Sequence, residues 1–168
     1  MLRDYLDRVI AGTSEDQFLA DYPHAVLVEI ESDEDAHEES SGAATRMLRG
    51  DGLKRQAAGS HTAHVYVLEG SKAQNPLWIG RATESTIRLE HGSISKLHAR
   101  LAFTDDGWEL EDPGSTNGTF VDGRRLQPGV THRLLGDERL VVGRSTCLQF
   151  FESRPFFQYL HLLQRFGL

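Results

Sequence analysis

The chain has 168 residues, 39% of them hydrophobic and 26% charged, which suits one globular domain plus an extension and excludes a wholly disordered chain, a collagen or a coiled-coil rod. Its 18 Lys and Arg against 25 Asp and Glu leave a formal net charge of -7, which disfavours broad binding to nucleic-acid backbone or an anionic membrane, so an anion site has to be built from specific residues. Cys147 is the sole cysteine, so neither an internal disulfide nor a Cys-based zinc cluster can form, as suits a reducing compartment.

The start, MLRDYLDRVI, lacks the basic opening and apolar run of a signal peptide, and no later run approaches the ~20 apolar residues of a membrane span. A soluble cytoplasmic protein is the expectation. Leu2, Tyr5, Leu6, Val9 and Ile10 recur at helical spacing and predict a helix over residues 2–11, ended by Gly12. Ser14 with Gln17 resembles a capping box opening a second helix to about Ala20, which Pro23 stops. AVLVEI, residues 25–30, reads as a strand or an apolar anchor. The acidic ESDEDAHEES and the Gly-, Ala- and Ser-rich stretch after it make residues 31–60 a solvated linker, so residues 1–60 read as an N-terminal extension.

From His61 the texture becomes short β-like runs between turns, at spacings that predict an all-β sandwich over residues 61–152. Asp106-Gly107 and Asp122-Gly123 supply hairpin turns. Trp108 and Leu110 alternate with Glu109 and Glu111, one buried face and one wet. Asp105, Asp106, Glu109, Glu111 and Asp112 are taken together as a hairpin and a wet strand face rather than as catalytic carboxylates. Over residues 153–168, Ser153 can cap a helix with Pro155 in its first turn, and Phe156, Tyr159, Leu160, Leu163 and Phe166 form one apolar stripe. The ordinary partner for that stripe is the pair of N-terminal helices; a dimer or docking surface is the sharper alternative.

Three clusters carry chemistry: Gly80-Arg81, Ser95-Lys96-Leu97-His98, and Gly114-Ser115-Thr116-Asn117-Gly118-Thr119. Each alone is weak, but their order and their placement at strand ends are hard to obtain by chance. From about His64 to Phe151 the chain resembles the forkhead-associated (FHA) family, all-β sandwiches that bind phosphothreonine peptides through loops at one end. WIGRATESTIRL is similar to the family's opening, SISKLHARL to its Ser-x-x-His-Ala segment, LEDPGSTNGTFVDGRRL to its Gly-Ser-x-Asn-Gly-Thr and second Gly turns, and GDERLVVGRSTCLQF to its closing strands.

The resemblance implies that Arg81 and Ser95 contact the phosphate, that Thr116 and Asn117 bind the peptide, and that His98 is architectural, tying the loops together. A phosphothreonine brings ≈ -1.5 to -2 charge and three acceptor oxygens, so its receptor needs several donors and a cation. The Arg81 guanidinium can hold two of those oxygens, and the Ser95 hydroxyl can complete the shell. Lys96 adds attraction or a second cation contact. Gly80, Gly114 and Gly118 serve backbone geometry. Two positions depart from the family: Ser85-Thr86 stands where Asn-Asp is common, so hydroxyls replace an Asx turn there, and Lys96 stands where Arg is common.

No metal, cofactor or enzyme motif accompanies these clusters, and a hydrolase using Ser95 and His98 is a weak reading because no third orienting group is evident. The leading expectation is a phosphothreonine-dependent signalling adaptor, which implies a Ser/Thr protein kinase in the same cell. The alternative is a phospho-independent scaffold acting through its terminal helices. Self-association has two routes: the C-terminal helix, or a phosphorylated Thr13, which Glu15 and Asp16 follow closely.

Overall fold

The computed structural model describes residues 1–30, 63–69 and 75–165; the predicted linker, His61 and Phe166 lie outside them. Two sheets face each other. The first has six strands in the order β2-β1-β11-β10-β7-β8 and the second five in the order β4-β3-β5-β6-β9. In the first, β1 is Val26–Ile30, β2 Val65–Val67, β7 Thr119–Val121, β8 Arg124–Arg125, β10 Asp137–Val142 and β11 Thr146–Phe151. In the second, β3 is Leu77–Gly80, β4 Ile87–Arg88, β5 Ala99–Thr104, β6 Gly107–Glu111 and β9 Thr131–Arg133. Between them lies a core that includes Leu27, Ile79, Leu101, Leu110, Leu140 and Phe150, each fully excluded from water. The Asp122-Gly123 turn joins β7 to β8 with positive φ at both residues, 47° and 78°, the backbone a type I′ hairpin requires.

The expected boundary at residue 61 falls inside this architecture. β1 pairs with β11 along its whole length, Val26 opposite Phe151 through Ile30 opposite Cys147, and carries β2 on its other edge. Its sequence was ambiguous for a physical reason. Ala25 and Leu27 point into the sandwich, whereas Val26 and Val28 point to its outer face, and all four are buried. A strand covered on both faces reads as a continuous apolar run without alternation.

What covers the outer face is a layer of three helices: α1 Leu2–Ile10, α2 Glu15–Asp21 and α3 Ser153–Arg165. Leu2, Leu6, Val9 and Phe18 meet Phe156, Leu160 and Leu163 against Val26, Val28 and Phe151. Phe156, Tyr159, Leu160 and Leu163 of the apolar stripe are therefore packed against the N-terminal helices of the same chain. Phe156 sits at the centre of an aromatic cluster, with ring centroids 5.2 Å from Tyr5, 6.2 Å from Phe18 and 5.9 Å from Phe151. Arg154 pairs with Glu15 at 3.2 Å to clamp α3 to α2.

Two capping expectations change. Ser14 caps α2 by accepting the Gln17 N–H at 3.3 Å, but the Gln17 side chain turns forward to Asp21, so only half of the box forms. Ser153 is the first residue of α3 rather than its cap. Its hydroxyl donates to the Tyr22 carbonyl, fastening α3 to the end of α2, while the Glu152 carbonyl accepts the first helical bond from Phe156.

Candidate functional site

Four connections meet at one end of the sandwich: those after β3, β4, β6 and β10. The first two are locked together at Gly80. A Cβ there would lie 2.1 Å from the Lys96 carbonyl oxygen, so only glycine lets the β4–β5 connection lie this close to β3. Arg81 N–H then donates to the Ser95 carbonyl and Ala82 N–H to the Lys96 carbonyl, both at 3.1 Å. The departure at Ser85-Thr86 acts through hydroxyls, as expected. Buried Ser85 donates through Oγ to the Lys96 carbonyl at 3.1 Å, and Thr86 Oγ1 accepts the Trp78 N–H at 3.4 Å.

These bonds hold the backbones of Arg81, Ser95 and Lys96 side by side. Arg81 and Lys96 are exposed, and neither has a carboxylate partner among the described residues. The β6–β7 connection closes onto the same spot. Thr116 N–H donates to Ser95 Oγ at 3.1 Å, and the Ser95 hydroxyl makes a long 3.4 Å bond to Thr116 Oγ1. A better acceptor arriving near Ser95 would take that hydroxyl hydrogen at small cost.

His98 is fully buried and joins both connections. Its Nδ1 accepts the Ser95 N–H at 3.0 Å, which leaves the proton on Nε2 to donate to the Gly118 carbonyl at 3.0 Å. Both ring nitrogens are thus satisfied in one neutral tautomer. Neither faces Ser95 Oγ, so the geometry gives His98 the tying role and removes it as a base for that serine.

Asn117 ties its own loop to the β4–β5 connection. Its Nδ2 donates to the Ser93 carbonyl at 2.7 Å, so one amide hydrogen serves the loops. Among the described residues its second amide hydrogen and Oδ1 have no partner. Ser93 is a junction that sequence reasoning missed: its Oγ accepts the Arg144 N–H at 3.2 Å and meets His91 Nδ1 at 2.8 Å. A Ser in a polar loop carries no signal for that role.

Asp112 overturns an expectation. It is 2% exposed, and its carboxylate accepts Gly114 N–H at 2.8 Å, Ser115 N–H at 2.6 Å and the Ser115 hydroxyl at 2.7 Å. The Ser115 oxygen in turn accepts Gly118 N–H at 2.9 Å. Burial alone would raise this carboxyl; the bonds from Ser115 and Gly114 outweigh it and hold the group below its ordinary value. The sequence did contain the signal. Counting in twos from Trp108 and Leu110 places Asp112 on the buried face, not beside Glu109 and Glu111.

Residues 77–143 match the FHA domain family model. The chain carries an FHA domain. The FHA domain-containing protein FhaB of Mycobacterium tuberculosis is 35% identical over 99 residues, covering 52% of this chain and 64% of that protein. FhaB of Mycolicibacterium smegmatis is 36% identical over 90 residues, covering 49% and 58%. The chain thus spans less than two thirds of the length of these curated relatives.

Among solved structures, the FHA domain of an Arabidopsis thaliana hypothetical protein aligns with a TM-score of 0.54 at 17% identity, covering 77% of this chain and 85% of that one. The N-terminal FHA domain of a Saccharomyces cerevisiae protein, solved in complex with a phosphothreonine peptide, aligns at 0.50 with 21% identity, covering 60% and 93%. Both likenesses establish the FHA sandwich as the fold. Among the described residues no helix is long and apolar enough to cross a membrane.

Proposed function

We propose that this FHA domain binds phosphothreonine-containing segments of other proteins, as an adaptor downstream of Ser/Thr protein kinases. The observation that carries the reading is the pairing of an uncommitted cation with a releasable hydroxyl: exposed Arg81 is bonded through its backbone to Ser95, whose Oγ–H is held only by a 3.4 Å contact. Arg81 supplies charge and two parallel donors, Ser95 a third, Lys96 further attraction, and Thr116 and Asn117 contact the extended peptide. The scaffold alternative rests on how apolar the tail from Phe156 to Phe166 is, and Phe156, Tyr159, Leu160 and Leu163 of that tail are packed inside the chain.

The test is calorimetry or fluorescence anisotropy with one peptide in phosphothreonine, phosphoserine and unmodified forms. Binding is expected only with phosphate, strongest with phosphothreonine. Arg81→Ala is expected to weaken it by about 1.5–3 kcal/mol or more. Equal affinity for phosphorylated and unmodified peptide would overturn the reading.

A further inference from the structure

Three hydroxyl side chains stand in the β3–β4 connection, and two of them are built into it. Ser85 Oγ donates to the Lys96 carbonyl, and Thr86 Oγ1 accepts the Trp78 N–H. Thr83 is different. It is exposed, and among the described residues its hydroxyl bonds only the neighbouring Glu84 carboxylate, at 3.2 Å. It stands at the tip of a β-turn from Ala82 to Ser85, closed by the Ser85 N–H on the Ala82 carbonyl at 3.1 Å.

The base of that turn is pinned to one of the two cations of the site. Ala82 N–H and the Ser85 hydroxyl both donate to the Lys96 carbonyl, each at 3.1 Å. The other cation, Arg81, leads directly into the turn with its own N–H on the Ser95 carbonyl. Two residues of chain separate the Cα atoms of Arg81 and Thr83 by at most about 7 Å, a distance that an arginine and a phosphorylated threonine side chain close together. Thr83 is thus an exposed hydroxyl that serves no backbone group, held at the mouth of a phosphate receptor.

We infer that Thr83 is a phosphorylation site, and that a phosphate placed there engages Arg81 and Lys96 and shuts the domain to phosphopeptides. This rests on the reading of the site as a phosphothreonine receptor and adds its regulation. The modification is carried out by a Ser/Thr protein kinase with ATP. A bond forms between Thr83 Oγ1 and the γ-phosphorus, the bond from that phosphorus to the ADP oxygen breaks with its electron pair leaving on ADP, and the hydroxyl proton passes to the kinase's base. Arg81, two residues before the acceptor, is a charge that a kinase's acidic substrate groove can select. The product brings ≈ -1.5 to -2 charge, which repels Glu84 and matches Arg81 and Lys96. Because it is tethered, it competes with a free phosphopeptide at an effective concentration of millimolar order or above.

The test uses the full chain with phosphothreonine inserted at position 83 during synthesis, beside the unmodified chain and Thr83→Ala, each titrated with one phosphothreonine peptide by calorimetry. The unmodified chain and Thr83→Ala are expected to bind alike, and the phosphorylated chain about tenfold more weakly. Phosphorus NMR of the phosphorylated chain without peptide reads the phosphate itself. Its second ionisation is expected below the ordinary value of about 6, and back at that value when Arg81→Gln is introduced into the phosphorylated chain. Equal affinity of the phosphorylated and unmodified chains overturns the inference and leaves the receptor reading standing; so does an ionisation that Arg81→Gln does not move. Dimers of the phosphorylated chain in sedimentation overturn it as well, because the phosphate then serves a second copy. Incubation of the unmodified chain with ATP and an arginine-directed Ser/Thr kinase, mapped by mass spectrometry, is expected to find phosphate on Thr83, and a bare Thr83 overturns the modification site. Failure of the unmodified chain to bind any phosphopeptide would overturn the receptor reading and the inference with it.

Discussion

His98 Nδ1 accepts the backbone N–H of Ser95 at 3.0 Å while Nε2 donates to the Gly118 carbonyl at 3.0 Å, so one buried ring fixes the distance between the serine that offers a hydroxyl and the loop that carries Asn117. The ring itself is fully buried. Its removal should nevertheless be felt at the ligand, because the Gly118 carbonyl and the Ser95 N–H each lose a partner in a dry place.

His98→Ala is accordingly expected to cost about 2–4 kcal/mol in stability, combining a cavity with orphaned backbone groups. Phosphopeptide affinity should fall as well, below the melting temperature of the variant, although Arg81 and Ser95 are intact. Chemical denaturation and calorimetry on one preparation read both quantities. Undiminished affinity in a folded His98→Ala protein would contradict the tying role.

Asp112 makes the same loop sensitive to acid. Its carboxyl in the folded protein lies below its value of 3.8 in an unstructured chain, so the unfolded state binds the proton more readily. The sign follows: the stability this group contributes is complete above the unfolded value, and it is lost as pH falls through the lowered folded value. Asp112→Asn should lower the melting temperature at pH 7, with a cost of about 1–3 kcal/mol from the mismatched Ser115 hydroxyl. The gap between wild type and variant should narrow as pH falls towards 3. A gap that is constant from pH 7 to pH 3 would show that ionisation of Asp112 does not hold the loop.

Much of this was legible in the chain because FHA loops are written in local chemistry. Gly80, Ser95, His98 and Asn117 stand out by residue type and order, and the structure brings them to one end. β1 was harder, since a strand buried on both faces loses its alternation and its pairing with β11 spans more than a hundred residues of chain. Asp112 was misassigned by composition. An acid beside Glu109 and Glu111 looks wet until the period of two is applied strictly. Ser93 has no local signature at all, because its role is created by the arrival of Asn117 and Arg144 from distant segments.

Gly80 offers a sharper test of the site than any surface residue. Gly80→Ala would place a methyl 2.1 Å from the Lys96 carbonyl oxygen and 2.7 Å from Ser85 Oγ. Backbone cannot yield by that much without breaking the bonds from Arg81 and Ala82 to Ser95 and Lys96. The variant is expected to lose about 1–3 kcal/mol of stability through overpacking. Phosphopeptide binding should drop at least tenfold, because Arg81 is displaced relative to Ser95. Calorimetry would detect this directly. Wild-type affinity would mean that the spacing between those two residues is immaterial.

The helical layer should affect the fold without affecting the site. Phe156 is 1% exposed and packs against Tyr5, Phe18 and Phe151, which draws α1, α2 and β11 into one cluster. Phe156→Ala is therefore expected to cost about 3–5 kcal/mol and to loosen all three helices together. β11 lies in the same sheet as β7 and β10, but Ser95 and His98 are reached through the opposite sheet and the loops. Below its reduced melting temperature the variant should bind phosphopeptide as wild type does, and titration at 10 °C beside a thermal melt separates the two effects. A loss of affinity at full folding would show that the helices transmit to the binding loops through the six-stranded sheet, a coupling for which β10 and the Gly143–Gly118 bond at 3.1 Å provide the physical route.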